Sequence, residues 1–587
     1  MELTTKARRG PDGPQPKAED RLDLACTRGT RMVILTMQMI RFLTTILLVS
    51  VAALSLAAED ADVIPEGAKD AAEHFSTARM RADLEFLAGD LLEGRGTGAR
   101  GGDIAATYIA TQFALAGLKP VGRNGTYMQE VPLIGLTTQP ESTLEIHPMN
   151  GEPWLLKYLE EWVANDLSLQ TEETIDAPLV FAGYGIHAPE QNWDDYAGLD
   201  AKGKVVLALV NDPPSEDPNF FGGKAMTYFG RWTYKYEEAA RQGAAGILLI
   251  HNTEMASYGW QVVRNSNSGE QAYLGNPPGM HQVKIAGWIS EDSAKKLAGM
   301  AGTDLAGLFE KAKTPGFKSM ELPMRIQARL TAKVRPLPSN NVIGMLEGSD
   351  PARKDESIVY TAHYDHLGIG GTVDGDSIYN GAIDNASGTA LLIELARAFA
   401  GSKTRPARSV VFLSVTAEER GLRGSEYYGI HPLIPAKKTM LDLNYDAIDL
   451  WGEVGNVILT GAERTTVWPV VQEVAAAMNL KISRESHPEA GSYYRSDHFS
   501  LARVGIPAFS IDMGNEYVGK PAEFGEQKYW EYNKQHYHQP SDEVNPNWDY
   551  SGAGQVARLG IYIGWRVADM NGSTGWRDGD EFAAARK

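Results

Sequence analysis

The chain has 587 residues, 43% of them apolar and 22% charged, an ordinary globular composition with length enough for several domains. A net charge of -19 without any basic cluster argues against nucleic acid as a partner. The one cysteine, Cys26, excludes a disulfide framework and a cysteine-built zinc site, so any metal must be held by His, Asp and Glu.

Residues 1–58 read as an N-terminal extension and a secretory signal peptide. The stretch "MQMIRFLTTILLVSVAALSLAAED" sets Arg41 before an apolar run from Phe42 to Ala53, then small residues with cleavage near Ala57 or Ala58. The polar residues up to about 31 are odd ahead of a signal, so Met37 or Met39 is a candidate start. This reading places the mature chain in the periplasm or outside the cell, with no stable membrane span after cleavage. Residues 59–75 read as a linker.

"ARMRADLEFLAGDLLEGRGTGARGGDIAATYIATQFALAGLKPVG" predicts two amphipathic helices around a Gly-rich turn, the first part of a domain spanning 70–136. On the second helix Ile104, Tyr108 and Leu115 mark a stripe, with Ile109 and Phe113 beside it. "GTGARG" fits a dinucleotide glycine pattern but follows a helix, not a strand, so that reading fails on context. "TYMQEVPLIGLT" is a strand leading onward. Residues 137–335 change texture: "APLVFAGYGI", "GKVVLALVND" and "AAGILLIHN" are short strands, with the helix "YEEAARQGA" between the last two. This predicts a small, separate β-rich domain without a cluster of His and acids.

From 336 to 570 the pattern is α/β. Apolar strands "NNVIGMLEG", "SIVYTAHYD", "RSVVFLSVTAEE", "TMLDLNYDAID" and "IPAFSID" alternate with helices "GTALLIELARAFAG", "VWPVVQEVAAAMNL" and "SGAGQVARLGIYIGWRVAD". Such alternation predicts a mostly parallel mixed sheet flanked by helices.

Functional groups of such sheets gather at the carboxyl ends of the strands. There stand His363 with Asp365 two residues on, the adjacent pair Glu418 and Glu419, and Asp446. Asp384 and Asn385 precede a helix that begins in small residues, and His536 and His538 occupy a late polar loop. Either the two adjacent carboxylates form a solvated strand-end turn in open water, or, in a semi-buried place, they need a strong positive partner. Zinc takes His nitrogen and carboxylate oxygen. One glutamate of the pair can bind a metal while the other takes a proton from water. With two ions about 3.5–4 Å apart a carboxylate can bridge them, and Asp384, held before a helix, suits that task. Asp365 is placed to fix the second ring nitrogen of His363. His366 and His536 read as ordinary loop histidines. Asp497 and His498 fit either a structural loop or the wall of the site, and "DGDS", Asp374–Ser377, reads as a solvated turn. There is no G-x-S-x-G and no H-E-x-x-H, so serine-nucleophile esterases and thermolysin-like proteases lose their signatures.

"AHYDHLG", "GAIDNASGTALLIELAR", "TAEERGLRGS", "NYDAID" and "YHQPSDE", in that order, resemble the co-catalytic zinc aminopeptidases of peptidase family M28. "LEFLAGDLLEGRGTGARGGDIAATYIATQF" resembles that family's opening helices, and 137–335 resembles its inserted protease-associated domain. The resemblance implies two zinc ions, one on His363, Asp384 and Asp446, the other on Asp384, Glu419 and His538. It makes Glu418 the general base and acid, places Asp365 behind the ligands, and matches Tyr537 to an oxyanion donor. Ala447 stands where relatives often carry Met. The implied substrates are peptides with a free N-terminus. A carboxypeptidase releasing acidic residues, with Arg423 or Arg495 in its pocket, is the nearest alternative, and a binding protein with a vestigial site is the next.

Overall fold

The computed structural model describes residues 63–275 and 281–586. The signal reading and Cys26 lie outside them. None of the described helices is long and apolar enough to cross a membrane.

The α/β part is built on a seven-stranded sheet. Strands Ser409–Val415, Ser357–His363, Thr439–Asn444 and Ala508–Ser510 lie side by side and parallel in that order. The first three are buried along their whole length, which is why they read as unbroken apolar runs. Strand Ser339–Leu346 adds on antiparallel to Ser409–Val415, and Met128–Val131 and Lys119–Pro120 add on beyond it. Helices Gly388–Gly401 and Ser551–Asp569 cover one face, packing Leu391, Leu395, Leu559 and Ile563 against Ile358, Tyr360 and Phe412. Val359, Val411 and Leu413 meet Phe499 and Leu501 on the other face.

A second sheet of ten strands is drawn entirely from residues 133–336. The chain crosses into it at Pro132: Met128–Val131 pairs in the first sheet and Leu133–Thr138 in the second. It returns between Pro336 and Ser339. The core of this sheet is parallel, Glu172–Phe181, Val205–Leu209, Gly246–Ile250 and Ile285–Ile289. Its longest member, Met320–Pro336, was not among the predicted strands. It buries Leu322, Met324, Ile326, Ala328 and Leu330, and turns Arg325 and Arg329 outward to Asp176 and Glu172. Strict alternation marks a half-exposed strand, and Pro323 at its start obscured the pattern.

Two expectations are corrected. The supposed linker is a helix over Glu66–His74, with Ala68, Ala71 and Ala72 buried; three alanines at helical spacing give it a packing face that overall polarity hides. The helix Arg100–Leu115 buries Ala105, Ile109 and Phe113, while Leu115 is 76% exposed. The stripe beside the one favoured is the one that faces the core.

Candidate metal centre

Because the three central strands run parallel, their carboxyl ends share one edge. His363 pairs in register with Val415, two residues before Ala417 and the Glu418–Glu419 pair. Asn444 faces Thr361, which puts Asp446 just past the same edge. Asp384 arrives from the turn before helix Gly388–Gly401. Gly381 there has φ +59, and a Cβ on it would lie 2.2 Å from the carbonyl oxygen of Asp384, so the turn needs glycine. The Asp384–Asn385 peptide is cis. His538 comes last, from the loop after helix Phe524–Gln535.

These groups converge. His363 Nε2 stands 3.1 Å from Asp446 Oδ1 and 3.3 Å from Asp384 Oδ1. His538 Nε2 stands 3.4 Å from the other Asp384 oxygen, Oδ2, and 3.0 Å from Glu419 Oε2. Asp384 therefore offers one oxygen to each of two groups. His366, read from sequence as a loop residue, is fully buried with Nδ1 2.6 Å from Glu419 Oε1, so two imidazoles hold opposite oxygens of one carboxylate. Its spacing three residues after His363 was the available signal. His536, in contrast, turns its Nδ1 to Ser541. Glu418 Oε2 approaches His363 Nε2 only to 4.0 Å, beyond hydrogen-bond reach.

Much of the supporting shell was invisible in the sequence. The Nδ1 of His363 meets the backbone carbonyl of Asp365 at 3.1 Å, and the Asp365 carboxylate accepts instead from the Glu418 N–H and from Thr97. Asn385 donates to the carbonyl of Tyr445 and accepts from the N–H groups of Gly388 and Ala447, tying the Asp384 turn to the Asp446 loop. Asp542 accepts from the N–H groups of Ile383 and Asp384. Ser496 donates to Asp446 Oδ2, and Arg495 to the hydroxyl of Tyr537 at 3.3 Å, so the stretch before Asp497 does line the site. Asp497 and His498 are themselves buried, and the Asp497 carboxylate is close enough for His363 and Asp446 to act on its charge. The "GRGTG" turn serves the centre as well. Arg95, fully buried, donates to the carbonyls of Leu87, Tyr364, Asn380 and Gly381, bracing the His363 and Asp384 loops together.

Burial and neighbouring charge act together on Asp384, His538 and Glu418. Burial opposes ionisation of Asp384, yet His363 and His538 hold it well below the usual carboxylate range. Burial also opposes charge on His538, and Glu419 with Asp384 overrules it and pushes the imidazole up to about 9. Glu418 goes the other way: burial lifts it well above the ordinary range, with His363 pulling only partly back. Without ions, protons on His363 and His538 keep Asp384 and Glu419 charged; a divalent cation takes the place of those protons.

The residues fit such ions. His363, Asp384 and Asp446 form one group, and His366, Asp384 and Glu419 another, each with its donor atoms within 4.8 Å. The set is hard oxygen plus imidazole, which suits zinc. Both nitrogens of His366 and Oε1 of Glu419 are buried without hydrogen-bonding partners among the described residues, although Nδ1 and Oε1 are in close approach. Imidazole nitrogen and carboxylate oxygen both carry lone pairs that a cation can take. The two clusters joined by Asp384 are consistent with a dinuclear zinc site.

Residues 341–563 match peptidase family M28. The aminopeptidase YwaD of Bacillus subtilis is 29% identical over 377 residues, 64% of this chain and 63% of that protein. The glutamate carboxypeptidase 2 homolog of Caenorhabditis elegans is 33% identical over 211 residues, 34% of this chain and 24% of that protein. The chain thus spans less than two thirds of these relatives. Among solved structures, the aminopeptidase from Aneurinibacillus sp. strain AM-1 superposes with a TM-score of 0.51 at 20% identity, covering 87% of this chain and 98% of that one. The fold is that of the Aneurinibacillus aminopeptidase, and the stretch 341–563 within it resembles peptidase family M28.

Proposed function

We propose that this chain, with its M28 peptidase fold and paired metal clusters, is a dinuclear zinc exopeptidase that removes N-terminal residues from peptides. One observation carries the reading: Asp384 presents its two oxygens to two separate donor groups while Glu418, beside them, is left uncommitted. In this reading His363, Asp384 and Asp446 hold one ion, and Asp384, Glu419 and His538 hold the other, with His366 steadying Glu419.

Zinc bound there would supply Lewis acidity, polarising the scissile carbonyl and bringing the acidity of water toward neutral pH. Glu418, raised by burial, takes the proton of the attacking water and delivers it to the leaving amine. The Asp365 carboxylate fixes the backbone from which Glu418 projects. The hydroxyl of Tyr537, accepting from Arg495, keeps its own hydrogen free to donate to the oxygen on which negative charge develops. Glu418→Gln tests this reading: it should keep two zinc ions per chain by elemental analysis and lose at least about a thousandfold in kcat on aminoacyl-nitroanilides. A variant with nearly full activity would overturn the assignment.

A carboxypeptidase reading has one observation of its own. Arg231, from the second sheet's segment, lines a small pocket with Arg495 and Tyr258, and its Nε is buried without a hydrogen-bonding partner among the described residues. Arg423 is bound through Nη1 to Glu426, and its Nε is likewise buried without a hydrogen-bonding partner among the described residues, but it does not line that pocket. Hydrolysis of an N-blocked, glutamate-ended peptide in preference to leucine nitroanilide would favour that reading. Residues 137–335 are proposed to be a protease-associated insert, and the N-terminal signal to send the enzyme to the periplasm or outside; sequencing the N-terminus of the exported protein tests the second.

A further inference from the structure

We infer that Ser266, carried by the segment that forms the second sheet, is a positioning residue of the metal centre. The inference rests on reading that centre as a zinc site. The α/β part holds one metal-facing imidazole by its own means, since His363 Nδ1 meets the Asp365 carbonyl. It does not do so for the other. His538 Nδ1 lies 3.0 Å from Ser266 Oγ, on helix Trp260–Ser268, and no other partner of that nitrogen is found among the described residues. His538 Nε2 faces Glu419 and Asp384, so a metal there needs the lone pair at Nε2 and the hydrogen at Nδ1. Ser266 Oγ is the acceptor that selects this tautomer.

The contact is built from both sides. Asn265 Nδ2 donates to the carbonyl of His538, whose backbone has φ +56, a left-handed conformation that a histidine holds only when its surroundings impose it. Arg420, next to Glu419, donates to the carbonyl of Ser266, and Gln271 donates to the same oxygen. One short helix thus touches the loop of one zinc-facing residue through two side chains and is itself held by the neighbour of another. The α/β part alone would leave His538 free to rotate and to swap its ring hydrogen, so the centre is complete only with the intervening segment in place.

The isosteric pair Ser266→Thr and Ser266→Val tests this, because the two differ in a hydroxyl and little else. Zinc affinities are read by competition with a chromophoric chelator, without substrate, and thermal unfolding of the metal-free proteins checks that both fold. Ser266→Val should bind one of the two ions tenfold or more weakly and the other as wild type does, in line with the usual cost of removing such a partner. Ser266→Thr should stay within about threefold of wild type for both. Equal affinities for both ions in all three proteins would overturn the inference, as would a wild type that binds no zinc. Should Ser266→Val unfold early, Ser266→Ala against Ser266→Thr gives the same comparison. Loss of one zinc in Ser266→Val alongside a wild type inert toward every peptide would sink the peptidase reading and leave this one standing.

Discussion

At the scale of the residue, the centre is a problem of charge. Asp365, Asp384, Glu418, Glu419 and Asp446 crowd into a small volume against three imidazoles and the buried Arg95. Burial pulls the guanidinium down to about 10, while Asp542, Asp365, Asp384 and Glu419 pull it back up, so it stays charged at neutral pH. Asp384 is the one group shared by both donor clusters. Asp384→Asn should therefore bring zinc below one ion per chain and lower kcat at least about a thousandfold, checked by elemental analysis beside kinetics. A second prediction concerns Asp449, which burial raises to about 7 while the Tyr517 hydroxyl works against it. Its folded value lies above its unfolded one. Its contribution to stability is thus complete below about pH 4 and lost as pH rises through about 7. Asp449→Asn should gain in Tm relative to wild type between pH 5 and 8, and parallel pH profiles of Tm would refute this.

At the scale of the element, parallel strand order aims the ligands and turns hold them. His363, the Glu418–Glu419 pair and Asp446 reach one edge because three neighbouring strands run the same way. Asp384 comes from a turn instead, and Asn385 links that turn to the Asp446 loop through three hydrogen bonds. Asn385→Ala leaves three backbone groups unpaired, at about 1–3 kcal/mol for each one that stays dry. It should weaken binding of the ion on the His363–Asp446 side by tenfold or more in chelator competition while the other ion binds more nearly as in wild type. Equal weakening of both would mean that Asn385 supports the fold in general.

At the scale of the whole molecule, the second sheet departs at Pro132, returns before Ser339, and touches the α/β part beside the donor clusters. Met226 and Asn211 add bonds to Pro488 and Glu489. Ions that bind the folded chain alone stabilise it by mass action, about 4 kcal/mol for free zinc at a thousandfold its Kd. A chelator should therefore lower Tm by several degrees, and restored zinc should return it; an unchanged Tm would show that the ligands are not organised around metal.

The order of five motifs, the strands as apolar runs, and the gathering of His363, Asp384, Glu419, Asp446 and His538 at one place were legible in the sequence, because a parallel sheet turns strand ends into neighbours by a simple rule. His366 was misjudged since its burial depends on the turn at Gly381, whose backbone approach no local pattern displays. The long strand Met320–Pro336 and the core-facing stripe of helix Arg100–Leu115 went unread for a related reason: which face is buried depends on what packs there. Sequence by itself determined which chemistry the chain can hold, because donor atoms are properties of residues. Only tertiary structure decided which donors stand together, that Asp365 steadies Glu418, and that Ser266 reaches His538 from 272 residues away, because orientation and distance are set by packing between segments far apart in the chain.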